Sequence, residues 1–217
     1  MPKAVSLSAA SCIIVDEDLH QELVDEMLAS IQEVWPQIQE KMPTDQVLIT
    51  IHNNPSATIR EIGIGGRNPD PNRVILSIDP GFPEIMASIR NELPSLLAHE
   101  IHHAKRRRHA GYGSTLLEAM ISEGLADAFS IEVTHINPPP WSNALADHEI
   151  VAWMERSQEE WYSDSYNHYA WFFGTDETIP RWTGYTLGFR LVEEYLQKNN
   201  NDQPSDLYDE AASSFVQ

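Results

Sequence analysis

Residues 96–104 read Leu96-Leu97-Ala98-His99-Glu100-Ile101-His102-His103-Ala104, and the fold turns on how that run is read. On a helix, Leu96, His99, Glu100 and His103 fall on one side, about one turn apart. An amphipathic helix normally places apolar side chains on such a face, and three polar groups there are costly without partners. A metal ion resolves the cost. Two imidazoles four residues apart can bind one Zn²⁺, and a glutamate beside the first of them can serve as general base on water activated by that ion. The pattern HExxH is complete as His99-Glu100-x-x-His103. His102 would spoil that geometry as a ligand and is expected behind the site or at the surface.

A catalytic zinc site needs a third protein ligand and an open position for water. Two residues compete for the role. His109 completes HExxHxxxxxH, the spacing of the metzincins. That family has a glycine three residues after the second histidine, where the chain turns sharply, and here Arg106 stands in its place. A helix continuing through Arg106 carries His109 away from the metal. Glu123 is the other candidate. It opens Glu123-Gly124-Leu125-Ala126-Asp127, in which Glu123 and Asp127 share a helix face. This segment resembles the ExxxD element of the gluzincins. The resemblance implies that Glu123 is the third ligand and that Asp127 hydrogen-bonds and orients His99, since a carboxylate behind a ligating histidine fixes its tautomer. Gly124 costs about 1 kcal/mol in mid-helix relative to Ala, which close approach to the HExxH helix would explain. Glu118 is a competitor, but Thr115-x-x-Glu118 has the form of a capping box.

From Leu96 to Asp127 the chain resembles a bacterial family of predicted zinc-dependent proteases of unknown function. The likeness rests on Ala98-His99-Glu100-x-x-His103-Ala104, the turn Gly111-Tyr112-Gly113, Leu116-Leu117 and the EGLAD run at 123–127. Trp182-x-Gly184-Tyr185-x-x-Gly188 is similar to the same family. The resemblance implies a zincin-like α+β fold: a small mixed sheet, the HExxH helix and a mostly helical C-terminal part. It implies zinc as cofactor and peptides or small proteins as substrates. The alternatives are a non-catalytic zinc protein and a hydrolase of non-peptide amides. Peptide hydrolysis also needs a donor for the oxyanion that develops on the attacked carbonyl. Gluzincins often use a tyrosine or histidine outside the HExxH helix, and Tyr185, flanked by two glycines, is the expected donor. Tyr112, His148 and Arg181 are substitutes. His148-Glu149 begins a second HExxH that Ala152 leaves incomplete.

The remaining sequence arranges itself around this site. Residues 18–40 carry Leu19, Leu23, Met27, Ile31, Val34 and Ile38 at helical spacing. Residues 46–52, 58–64 and 73–78 read as strands, and 1–15 as a first strand. Helices are expected from 84 or 91 to 107, with Pro94 opening or kinking the segment, and at 115–133, 144–160 and 182–197. The polar tail, 199–217, is expected to fray at its end. Strands early and helices late predict α+β in one domain spanning 1–217, with helix and sheet in 1–80 and the metal site in 81–217. Gly63, Gly65 and Gly66 complete neither a phosphate loop nor a dinucleotide fingerprint and predict a turn or bulge near an edge strand.

The 217 residues carry a net charge of −19. This argues against nucleic-acid or anionic-membrane binding, which recruit lysine and arginine. The one basic cluster, Lys105-Arg106-Arg107-Arg108, suits a helix C-terminus, where cations complement the dipole. No apolar run approaches the length of a membrane span. The lone cysteine, Cys12, excludes an intrachain disulfide and is expected as a buried thiol beside Ile13, Ile14 and Val15. Both features fit a reducing, cytoplasmic setting.

Overall fold

The computed structural model describes every residue except 1, 2, 8–11, 45, 176 and 177. The chain divides into two compact units, Met1–Arg108 with Val133–His135, and His109–Glu132 with Ile136–Gln217.

The first unit contains strands β1 (Lys3–Ser6), β2 (Cys12–Val15), β3 (Leu48–Asn53), β4 (Ile64–Asp70) and β5 (Arg73–Ile78), with helices α1 (Gln21–Lys41), α2 (Ile85–Asn91) and α3 (Leu93–Arg107). The sheet order is β1-β2-β3-β5-β4. β2, β3 and β5 run parallel, while β1 and β4 are antiparallel edge strands. The fold is therefore mixed α+β with a mixed sheet. The segment expected as one first strand contains two, β1 and β2; the expected burial of the Cys12 thiol lies outside the described residues. The apolar series Leu19, Leu23, Met27, Ile31, Val34 and Ile38 is buried throughout, and α1 packs on α2 and α3.

One boundary differs from expectation and another decides between two alternatives. Residues 58–64 form a turn, closed by an isolated bridge between Ile59 and Ile64, and the strand begins where they end. Gly63, at φ 66°, reverses the chain there, a conformation that glycine takes without strain. β4 then contains Pro69, which a central strand would not tolerate. Its edge position and a register shift between Arg67 and Asp70 accommodate it. Buried Asn68 holds this bend by donating from Nδ2 to Asp70 O at 2.7 Å and to Arg73 O at 2.8 Å. The glycines thus mark a turn and an edge strand, as their pattern predicts. The second boundary is at Pro94, which falls in the first turn of α3 and opens it, the position where its missing N–H costs nothing.

The second unit is helical: α4 (Leu116–Thr134, whose last two residues count with the first unit), α5 (Asp147–Gln158), α6 (His168–Phe173) and α7 (Thr183–Lys198). The capping box forms. Glu118 Oε2 accepts from Ser114 N at 2.8 Å and Thr115 N at 3.0 Å, and Thr115 Oγ1 accepts from Glu118 N at 3.4 Å. These donors hold the Glu118 carboxyl below its ordinary pKa. α6 sits in the aromatic-rich stretch that sequence periodicity leaves as loop. Asn167 caps its start and Gly174, at φ 66°, its end.

One feature of this unit gains a named partner and one expectation is overturned. Gly124 admits α7: a Cβ on it would lie 2.3 Å from Gly188 O, and one on Gly188 would lie 2.0 Å from Met120 O. Gly124 on α4 and Gly188 on α7 thus form a close backbone approach. The tail does not fray. Leu207, Ala212 and Phe215 join the core cluster of α4 and α7, Phe215 packs on Tyr195 with centroids 4.5 Å apart, and Glu132 accepts from Ser205 N and Oγ, both at 2.9 Å. A few apolar residues in a polar tail suffice to dock it.

Candidate metal centre

α3 carries the HExxH residues and packs on β4 and β5. His99, Glu100 and His103 are 7%, 4% and 5% exposed. His99 Nε2 and His103 Nε2 face each other at 2.9 Å, the rings edge-on at 83°. Two like nitrogens this close either share a proton or converge on a cation. Glu100 lies against the edge strand. A Cβ on Gly66 would stand 2.6 Å from Glu100 Oε1, so the glycine opens the space that the carboxylate fills. His102 is fully buried rather than at the surface. The basic cluster occupies the last turn of α3, as its dipole requires. There Lys105 Nζ donates to Pro43 O at 2.9 Å and Arg108 Nη2 to Gln46 O at 2.6 Å.

Glu123, on α4, is 5% exposed. Its Oε1 accepts from the Tyr112 hydroxyl at 2.7 Å. Burial, followed by the Glu123 charge, pushes the Tyr112 phenol well above its ordinary pKa. His99, His103 and Glu123 form a group that could hold a metal ion, with one ligand atom of each within 4.8 Å of the others. His109 is outside the group; it is exposed, with its ring 4.8 Å from that of Tyr208. Two imidazole nitrogens and one carboxylate oxygen, all buried, fit zinc with a position left open. The 2.9 Å between the imidazole nitrogens is close to the roughly 3.3 Å expected for two nitrogens on one tetrahedral zinc.

Asp127 is fully buried. Trp141 Nε1 donates to its Oδ1 at 3.1 Å and Ser142 Oγ to its Oδ2 at 2.6 Å. Trp141 is fixed in turn by Thr186 Oγ1, which donates to its carbonyl at 2.9 Å. Tyr185 is half-buried in an aromatic group, its ring 5.1 Å from Phe172, 6.5 Å from Phe173 and 6.5 Å from Trp141. Of the substitutes, His148 is exposed on α5 and Arg181 lies 3.9 Å over the Trp182 ring.

Sequence reasoning missed a further pair. His168 Nδ1 lies 3.0 Å from the Tyr166 hydroxyl, and the His168 ring stacks on Phe172 at 4.5 Å. Burial lowers the His168 pKa, opposed by the Glu123 charge. Burial and then Glu123 push the Tyr166 phenol up to about 12. The Glu123 carboxylate is therefore felt by Tyr112, Tyr166 and His168. The only sequence signal for this pair, and for Trp141, is the density of aromatic residues in the last third of the chain; Ser142 carries none.

Residues 20–217 match the family described as "Predicted Zn-dependent protease (DUF2268)". No curated protein matches the chain. Among the described residues, no helix is long and apolar enough to cross a membrane.

Proposed function

The chain belongs to this family of predicted Zn-dependent proteases, and from that premise we propose that it is a zinc metallopeptidase of zincin-like fold, acting on peptides or small proteins in the cytoplasm. The observation that carries the reading is the buried group of His99, His103 and Glu123, with Glu100 next to the first ligand on α3. These three residues would hold the ion, which would supply a more acidic water and polarisation of the scissile carbonyl.

The protein's own groups do the rest. Glu100 takes the proton of the attacking water and later delivers it to the leaving amine. Gly66 leaves its carboxylate room to do so. Asp127 orients His99, and the two donors that pin Asp127, Trp141 and Ser142, keep that carboxylate from swinging away. Tyr185 donates to the oxyanion, where a fixed donor in a water-poor setting stabilises developing charge.

The test compares metal content and peptide-library cleavage in wild type, Glu100→Gln, Glu123→Ala and His109→Ala. Wild type and Glu100→Gln should both carry zinc, and only wild type should cut, since loss of a general base costs about 10²–10⁴-fold. Glu123→Ala should empty the site and His109→Ala should not. A zinc-loaded wild type that cuts nothing beyond Glu100→Gln would defeat the enzyme reading. Equal zinc retention in the last two variants would defeat the ligand assignment.

A further inference from the structure

We propose that Tyr112 is a positioning residue for the metal ligand Glu123: its hydroxyl holds Oε1, so that the other carboxylate oxygen is presented in a fixed direction. The inference rests on the proposed metal site and adds a residue to which no role attaches there. The contact is short, 2.7 Å, and made by a phenol that can donate to the carboxylate. Outer hydrogen bonds of this kind fix the orientation of metal-binding carboxylates.

The local backbone is built to deliver that hydroxyl. Tyr112 stands between Gly111 at φ 86° and Gly113 at φ 100°, left-handed values that a residue with a Cβ adopts only under strain. The turn is pressed onto the start of α4: a Cβ on Gly113 would lie 2.2 Å from the Glu118 Cβ. Glu118 also accepts from Ser114 N and Thr115 N, the residues that follow the turn. The turn is thus fastened to α4 at two places, at Glu118 through the cap and at Glu123 through Tyr112. A glutamate has three side-chain torsions to order before it can bind, and restricting them in advance lowers the entropy lost on binding. Tyr112 does this from a segment that is tied to the same helix and moves with it.

The test uses Tyr112→Phe, which removes the oxygen and keeps the ring. Zinc affinity is measured by chelator competition in wild type, Tyr112→Phe, Glu123→Ala and the double variant. Melting of the metal-free proteins reports folding, and the visible spectrum of the Co²⁺-loaded proteins reports ligand geometry. Tyr112→Phe should bind zinc about 10–100-fold more weakly and alter the Co²⁺ spectrum. In the Glu123→Ala background it should change nothing further, because a pairwise role vanishes with its partner. A residue that served folding alone would lower metal-free melting and leave the Co²⁺ spectrum unmoved, which overturns the proposal. If wild type binds zinc and Tyr112→Phe binds it equally well, the positioning role falls and the metal site stands. If wild type binds no zinc, both fall.

Discussion

The glycine pair that joins α4 to α7 gives the sharpest physical test of how Glu123 is held. A Cβ on Gly188 would lie 2.0 Å from the Met120 carbonyl oxygen, whereas ordinary contact begins at 3.4 Å. Gly188→Ala must therefore part the two backbones by about 1.4 Å, the difference of those distances. Alanine gains about 1 kcal/mol in helix propensity. Against that, overpacking costs about 1–3 kcal/mol and sometimes more. The obstacle here is main chain, which cannot rotate aside, so the upper part of that range applies and the net loss is about 1–2 kcal/mol. For a chain of this length each kcal/mol moves Tm by about 2–4 °C, so Tm should fall by roughly 2–8 °C. Glu123 adjoins Gly124 on the displaced helix, and a 1 Å misplacement at a reacting centre can cost about 10²-fold. Zinc affinity and peptide cleavage should fall together. Thermal unfolding of the metal-free protein, followed by circular dichroism, is the direct assay. Gly184→Ala is the internal control. It lies on the same helix and meets the ring of Phe172 at 2.7 Å, a side chain that can turn, so its loss should be smaller. Should Gly188→Ala melt at or above wild type, or no lower than Gly184→Ala, the backbone crossing is not what sets the position of α4.

Two further predictions come from the other local contacts. Gly66→Ala would put a Cβ 2.6 Å from Glu100 Oε1; it should displace the carboxylate and cut peptide cleavage at least about tenfold with zinc retained, and unchanged turnover would show that Glu100 does not depend on that space. Glu118 is held below its ordinary value of 4.5 by the N–H donors of its cap, so its contribution to stability is present above that value and is lost as pH falls through the lower folded one. The Tm gap between wild type and Glu118→Gln should therefore be widest above pH 4.5 and close on acidification, and a gap independent of pH would refute the cap's ionic character.

What could be read from the sequence was local. HExxH, the cap at Thr115 and Glu118, and the helix face shared by Glu123 and Asp127 all depend on three- and four-residue spacing, which the helix imposes on its own. The features that escaped depend on partners outside their own segment. Residues 64–70 contain Gly-Gly and a proline, and nothing in their propensity marks a strand; pairing with β5 makes them one. α6 is six residues long and exists because its aromatic side chains enter the core of the second unit. The tail looked polar by composition, yet Leu207, Ala212 and Phe215 find that same core. Gly124 was legible as an anomaly, but its partner was not, because a small residue shows that something comes close without showing what.

The acidic face of α4 shows how burial decides between two readings that spacing leaves equal. In a chain of net charge −19, Glu123 and Asp127 one turn apart could as easily be a solvated stripe. They are 5% and 0% exposed, and burying two carboxylates one turn apart is costly unless each finds partners. Donors aimed at them include a tyrosine hydroxyl, an indole N–H and a serine hydroxyl, which fix where the oxygens point. A divalent cation shared by Glu123 and the two histidines would make burial of that carboxylate favourable, because a buried charge is tolerated when it is paired or coordinates a metal. A helix face that had evolved only for packing would not combine two buried carboxylates, three pinning donors and two histidines within reach of one of them.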